Sequence, residues 1–187
     1  MDRLSFDDYF MVQVLWTRTR SQDYSTKCGC ILVDSKNRII GQGYNGHPRK
    51  VDFDKMPQDR PAKYGPIIHS ENNAILNCTG SLDGATAYIT GPPCVHCWAQ
   101  MIQVGIKRVV YGPITMSSEG AYSKESKEGH LTQVVQDMLE NHDVEIVRWK
   151  PQNRSLILDE LDSLRQLVMI TTVMDENRDL LKRLANN

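Results

Sequence analysis

The chain has 187 residues, and its 22 basic and 23 acidic side chains leave a net charge of −1. That length supports one domain with a real core and an appendage, and the near-balance of charge argues against a protein that grips nucleic acid mainly through overall charge, though a local basic pocket stays open. No apolar run approaches the ~20 residues of a membrane span, and the opening MDRLSFDDYF is too acidic and broken for a signal peptide, so a soluble, cytoplasmic protein is expected.

SFDDYFMVQVLWTRTR, residues 5–20, starts with a cap-like Ser5 and an Asp8 three residues on, which predicts a helix. Phe6, Tyr9, Phe10, Val12, Leu15 and Trp16 are expected on its buried face. CGCILVD and RIIGQGYN predict a strand pair around the turn Asp34-Ser35-Lys36-Asn37. Residues 45–66 contain Pro48, Pro57, Pro61 and Pro66 among charges, and a loop that long is expected to be functional or mobile. IIHSENNAILNC predicts a helix, ATAYIT a strand, CVHCWAQMIQVG a helix and KRVVYG a strand. A Ser-, Gly- and Lys-rich loop covers 112–127. HLTQVVQDMLENH then predicts a helix and VEIVRW a fifth strand, closed by Pro151. From Ser155 to Ala185 the chain is helical in character, with an apolar stripe at Leu158, Leu161, Leu164, Val168, Val173, Leu180 and Leu184. The order α-β-β-α-β-α-β-α-β predicts a five-stranded sheet covered on both faces, its first two strands a hairpin and the later ones parallel.

GPPCVHC, residues 91–97, carries the chemistry. Five cysteines in a reducing compartment argue against a disulfide framework. A Cys-x-x-Cys pair alone fits a redox dithiol, a structural zinc site or a catalytic one. HSENNAI, 25 residues upstream, places His69 and Glu71 at the start of a helix. His69, Cys94 and Cys97 make three zinc ligands, which leaves a fourth position for water. Glu71 beside that position is the candidate proton carrier. Each ligand lies near a predicted helix N-terminus, where the dipole favours thiolate, and Pro93 suits a first turn. His96, between the cysteines, points away from their shared side and is not expected to be a ligand. Cys28, Cys30 and Cys78 have no assigned role; the first two are expected to be small buried groups rather than a second metal site.

His-x-Glu followed by Pro-Cys-x-x-Cys is the signature of zinc-dependent nucleobase deaminases. With GYNGHP (43–48), KYGPIIHSENNAI (63–75), GATAYIT before GPPCVHC, and GIKRVVY (105–111), the chain resembles the deoxycytidylate (dCMP) deaminases of the cytidine deaminase superfamily, as found in eukaryotes and large DNA phages. The resemblance runs from about Lys27 to about Trp149. Ser70, Asn72 and Gly91 depart from the family's usual Ala, Leu and lead-in residue; no ligand is lost. The resemblance implies a three-layer α/β/α cytidine deaminase-like fold with a five-stranded mixed sheet over 1–151. Residues 152–187 are then a C-terminal helical extension, not a separate domain.

The resemblance also implies the activity: hydrolytic deamination of dCMP to dUMP and ammonia, with Zn2+ on His69, Cys94 and Cys97 and Glu71 moving protons. Asn45 is implied as a sugar contact, against the alternative of a turn residue before Gly46. Tyr122 and Lys124, with Lys127, are implied near the phosphate. Members of the family are commonly hexamers activated by dCTP and inhibited by dTTP, with Mg2+ beside the triphosphate. The matching positions are Gly46, His47, Pro48 and Arg49, with Asp54 and Asn73; Arg49 and Lys50 are either a phosphate clamp or ordinary surface cations. A homohexamer with 155–185 at or near an interface is expected. The competing functions are a deaminase that also takes dCTP, a tRNA or single-stranded DNA deaminase, and a zinc module without catalysis. Charge balance and the lack of an aromatic-basic stretch count against nucleic acid. Glu71 counts against a mere staple.

Overall fold

The computed structural model describes residues 3–59, 61–112, 131–166, 168 and 169. Phe6–Lys150 forms one compact unit. Its elements are α1 (Phe6–Thr17), β1 (Gly29–Val33), β2 (Ile39–Tyr44), α2 (Ser70–Leu76), β3 (Thr86–Ile89), α3 (Val95–Gln103), β4 (Arg108–Tyr111), α4 (Gln133–Leu139) and β5 (Glu145–Arg148). The strands form a single mixed sheet in the order β2-β1-β3-β4-β5. β1 is antiparallel to both β2 and β3, while β3, β4 and β5 run parallel. Parallel neighbours need a crossover, and α3 and α4 supply the two.

Alternation along the strands builds the layers. β1 is buried along its whole length. Ile31 and Val33 join Phe10, Met11 and Val14 of α1, with Tyr88 and Val110. Cys30 and Leu32 face the other way, with Ala87, Ile89, Val109 and Tyr111, onto Ala74 of α2, Trp98 and Met101 of α3, and Val135 of α4. One helix therefore covers one face and three cover the other. This is the expected three-layer α/β/α arrangement, and Cys30 is a fully buried apolar packing group as expected.

The hairpin turn is also as expected. Asp34 accepts from the Lys36 and Arg38 backbone N–H groups at 2.9 Å, and Asn37 takes the left-handed conformation (φ 59°) that Asn tolerates. The buried face of α1 is not as expected. Phe6, Tyr9 and Trp16 are each about half exposed, whereas Asp8, Met11, Val14 and Thr17 are buried with Phe10. Apolar residues ring this helix, so periodicity alone does not select a face. Polar bonds select it. Arg108 on β4 donates to both Asp7 carboxylate oxygens at 2.7 and 2.8 Å, and the Tyr88 hydroxyl donates to Asp7 at 2.9 Å. Trp149 Nε1 donates to Asp8 at 2.8 Å.

In the second unit, residues 154–166 and 168–169 are helical. Leu158, Leu161, Leu164 and Val168 of the expected stripe are exposed; Val173, Leu180 and Leu184 lie outside the described residues. No helix among the described residues is long and apolar enough to cross a membrane.

Arg108 holds the Asp7 carboxyl below its ordinary value, against the opposing effect of burial and with help from Tyr88. A carboxyl lowered by folding stabilises the fold above its unfolded pKa of about 3.9, and that contribution is lost as pH falls through the lower folded value. Asp7→Asn is therefore expected to lose roughly 1–3 kcal/mol of unfolding free energy at pH 7. In urea titrations the gap between wild type and variant should shrink below about pH 4. A gap that is constant down to pH 2 would contradict this role.

Candidate active site

Two helix starts meet at one point. His69 is the N-cap of α2 and Cys94 the N-cap of α3, both in extended backbone conformation. Cys97 follows Cys94 by one turn. The pairing Gly46↔Ile68 keeps the chain extended up to His69, which is why α2 begins at Ser70 and not at Ile67 as the apolar pattern suggests. Bonds in both directions, Gly46 N–H to Ile68 O at 3.1 Å and Ile68 N–H to Gly46 O at 2.8 Å, secure the pairing. α2 then lies directly on β2. A Cβ on Gly43 would stand 2.3 Å from Ala74 N and 2.4 Å from Ser70 O, so only glycine permits this approach.

The free edge of β2 is covered by the same helix and the chain after it. Asn73 Nδ2 donates to Tyr44 O at 2.7 Å and Asn77 Nδ2 to Gln42 O at 3.2 Å. Thr79 N–H donates to Ile40 O at 2.8 Å. Three outward carbonyls of the edge strand are thus occupied, which blunts it against pairing with other chains.

His69 Nδ1 lies 3.4 Å from Cys94 Sγ and 3.4 Å from Cys97 Sγ, and the two sulfurs are 3.5 Å apart. Among the described residues this is the one group of three or more His, Cys, Asp or Glu side chains able to hold a metal. Tetrahedral zinc with ordinary Zn–S and Zn–N lengths needs ligand separations of about 3.6–3.8 Å, a few tenths from those observed. The charges fit as well. The hydrogen bond from Cys97 pulls the Cys94 thiol down to about 4, against burial and with help from His69. Cys97 is pushed up by the same bond, by burial and by the Glu71 charge. The protein alone therefore supports one thiolate of the two, and a divalent cation is what lets both ionise. His96 is exposed, as expected of a residue that is not a ligand. Cys28 and Cys30 do not join the cluster.

Glu71 is 6% exposed on the first turn of α2. Burial raises its carboxyl above the ordinary value, while its own backbone N–H, His69 and Ser70 act the other way. The Ser70 hydroxyl, itself fully buried, donates to Glu71 Oε2 at 2.8 Å. Ser70 was visible in the sequence only as a departure from the family's usual Ala.

The remaining expected residues fall into separate groups. Asn45 is buried beside the His69 segment. Its Oδ1 accepts from Cys28 N–H at 2.7 Å and its Nδ2 donates to Thr26 O at 2.9 Å. Cys28 lies within electrostatic reach of Glu71; burial first, then that charge, push its thiol up to about 12. His47 packs 5.6 Å from the Phe53 ring, and its Nδ1 is buried with no hydrogen-bond partner among the described residues. Pro48 and Arg49 are exposed, and Arg49 donates to Asn77 Oδ1 at 2.8 Å. Asp54 lies in a short 3-10 turn capped by Asp52. Tyr122 and Lys124 lie outside the described residues.

Sequence patterns missed a buried pair, Asp23 and Lys63, with Nζ 3.0 Å from both carboxylate oxygens. Asp23 ahead of Ser25 and Thr26 has the form of an Asx turn; nothing marks Lys63 as its partner. The turn between them lines a cleft of about 280 Å³ with Arg18, Thr19, Tyr24, Ser25, Thr26 and Lys27.

In this three-layer α/β/α fold, His69, Cys94 and Cys97 meet at two helix starts as a candidate zinc site, with Glu71 two residues from the histidine. Residues 4–113 match the cytidine and deoxycytidylate deaminase zinc-binding region, and the chain belongs to that family. It is 36% identical over 168 residues to a probable deoxycytidylate deaminase of Drosophila melanogaster, covering 83% of this chain and 78% of the fly protein. It is 36% identical over 117 residues to the human deoxycytidylate deaminase, covering 59% of this chain and 66% of the human one. The fold is that of the dCMP deaminase from cyanophage S-TIM5 in complex with dCMP and dUMP, with a TM-score of 0.59 at 20% identity over 80% of this chain and all of that one.

Gly43→Ala is expected to displace α2 and with it His69. Purified variant protein should unfold at least 2 kcal/mol more easily, on the scale of overpacking, and bind less zinc by elemental analysis. Full zinc content with unchanged stability would show that the approach of α2 to β2 is not what seats His69.

Proposed function

We propose that this protein deaminates dCMP to dUMP and ammonia. The observation that carries the proposal is the buried Glu71 carboxylate, set against a cluster of three ligands rather than four. A structural zinc site closes with four protein ligands and needs no carboxylate beside it. The names of the fly and human relatives support dCMP as the substrate.

His69, Cys94 and Cys97 would hold the ion. Zinc at that place supplies the Lewis acidity that makes water a nucleophile near neutral pH. Glu71 accepts a proton from the attacking water and delivers it to N3 of cytosine. It then carries the second proton to the 4-amino group, which leaves as ammonia while C4 becomes a carbonyl. The Ser70 hydroxyl donates to Oε2 and helps hold the Glu71 carboxyl in place. The walls around Glu71 keep bulk water from competing for its protons.

Regulation belongs to the same proposal and rests on the family resemblance: activation by dCTP and inhibition by dTTP with Mg2+ beside the triphosphate, in a cytoplasmic homohexamer. Of the positions implied, Asn73 and Arg49 already bond within this chain, so an effector there exchanges those bonds for its own. The exposed Leu158, Leu161 and Leu164 are apolar surface of the sort a neighbouring subunit covers.

The test is ammonia release from cytidine, CMP, dCMP and dCTP, with and without dCTP or dTTP as effector, on protein sized by light scattering. dCMP should be turned over best, and by an assembly larger than a monomer. Glu71→Gln should keep its zinc and lose at least about a hundredfold in kcat. Loss of less than about tenfold, or preference for an oligonucleotide over dCMP, would overturn the proposal.

A further inference from the structure

The Asp23–Lys63 pair lies outside the proton and metal chemistry, yet it is more buried than the other ion pairs among the described residues. The two side chains are 8% and 5% exposed. Charges that deep are costly unless every lone pair and proton finds a partner, and here the partners trace a path. Lys63, from the 3-10 turn Ala62–Tyr64, donates to both Asp23 oxygens and to Ser25 Oγ. Asp23 Oδ1 also accepts from the N–H groups of Ser25 and Thr26 at 2.8 and 2.9 Å, and from the Ser25 hydroxyl at 3.0 Å. The turn fixed in this way grips Asn45 from three sides. Thr26 O receives its Nδ2, Cys28 N–H holds its Oδ1, and Ser21 Oγ donates to its backbone oxygen at 2.8 Å. Ser21 Oγ in turn accepts from Asp23 N–H at 3.2 Å. Asn45 is followed by Gly46, whose pairing with Ile68 leads straight into His69.

We infer that Asp23 and Lys63 are positioning residues for the nucleotide pocket: the pair locks the 21–28 turn, and through it Asn45, against the segment that carries His69. The inference rests on the dCMP deaminase function proposed above. The same turn lines the cleft of Arg18, Thr19 and Lys27, whose hydroxyl and cationic groups suit a phosphorylated ligand. Since the pair touches neither Glu71 nor the zinc ligands, its loss should weaken nucleotide binding while leaving the chemical step and the metal in place.

A single substitution strands one buried charge and confuses misfolding with mispositioning. The double variant Asp23→Asn, Lys63→Met removes both charges at similar volume, a change that buried pairs often tolerate without loss of stability. A merely structural pair predicts that this variant regains both stability and activity. A positioning pair predicts otherwise: zinc at one per chain and a wild-type unfolding midpoint, but KM for dCMP raised at least tenfold with kcat within threefold. Amide exchange supplies a readout that needs no substrate. The Asp23→Asn change keeps an acceptor for the Thr26 N–H, so the readout is the Cys28 N–H held by Asn45, which should exchange at least tenfold faster in the double variant. If the double variant does not fold, Lys63→Arg, which strands no charge but cannot reproduce the contacts of a single Nζ to both Asp23 oxygens and Ser25 Oγ, is measured in the same way. An unchanged KM in the folded variant overturns the inference. A wild-type enzyme without dCMP turnover overturns the functional proposal instead, and the Cys28 exchange rate then decides the inference: a protected amide in the double variant sinks it, and faster exchange upholds the lock.

Discussion

Two sulfurs 3.5 Å apart, each 3.4 Å from an imidazole nitrogen, form an arrangement that needs a cation. The contact between the sulfurs draws Cys94 toward thiolate and Cys97 toward thiol; a bound cation would let both ionise. Most of the fold serves to bring these atoms together. The long loop after β2 and the short turn after β3 end with His69 and Cys94 as N-caps, where backbone N–H groups and the helix dipole favour thiolate at Cys94 and the neutral imidazole at His69. The sheet sets the distance between the turns, because β1 lies between β2 and β3 and pairs with both. Gly43 sets the height of α2 above the sheet.

The polar groups around this centre are arranged in shells of different burial. Glu71 and Ser70 are inside, where loss of water strengthens each hydrogen bond and raises the carboxyl. Asn45 and the Asp23–Lys63 pair are buried as well. Asn73 and Asn77 are outside, on the strand edge, where their bonds to carbonyls of β2 compete with water and contribute less individually. Asn73 thus has a structural partner in this chain in addition to any effector. On the opposite face, Asp7 and Asp8 fix the rotation of α1 through Arg108, Tyr88 and Trp149.

The sheet, its five strands and the His69–Cys94–Cys97 cluster were legible in the sequence because each leaves a local mark. Strands are short apolar runs bounded by turns, and the ligands sit at fixed spacings from Pro93 and from Glu71. The face of α1 was not legible. Phe6, Tyr9 and Trp16 look like core residues, but the deciding bonds come from Arg108 and Trp149, about a hundred or more residues away. The start of α2 was misplaced for a similar reason, since Ile68 belongs to a bridge with Gly46 rather than to the helix. Lys63 was hidden altogether: a lysine in a charged, proline-rich loop has the form of a solvated residue, and its burial depends on Asp23 forty positions earlier.

The central claim is a zinc ion held by three protein ligands with one position open for the reaction. X-ray absorption at the zinc edge of the purified enzyme tests it most directly. Two sulfur scatterers near about 2.3 Å and two nitrogen or oxygen scatterers near about 2.0–2.1 Å are predicted, one of the light scatterers being replaced when a sulfur-bearing inhibitor is added. Three or four sulfurs in the first shell, or a shell that no added ligand changes, would contradict the account and indicate a closed, structural metal site.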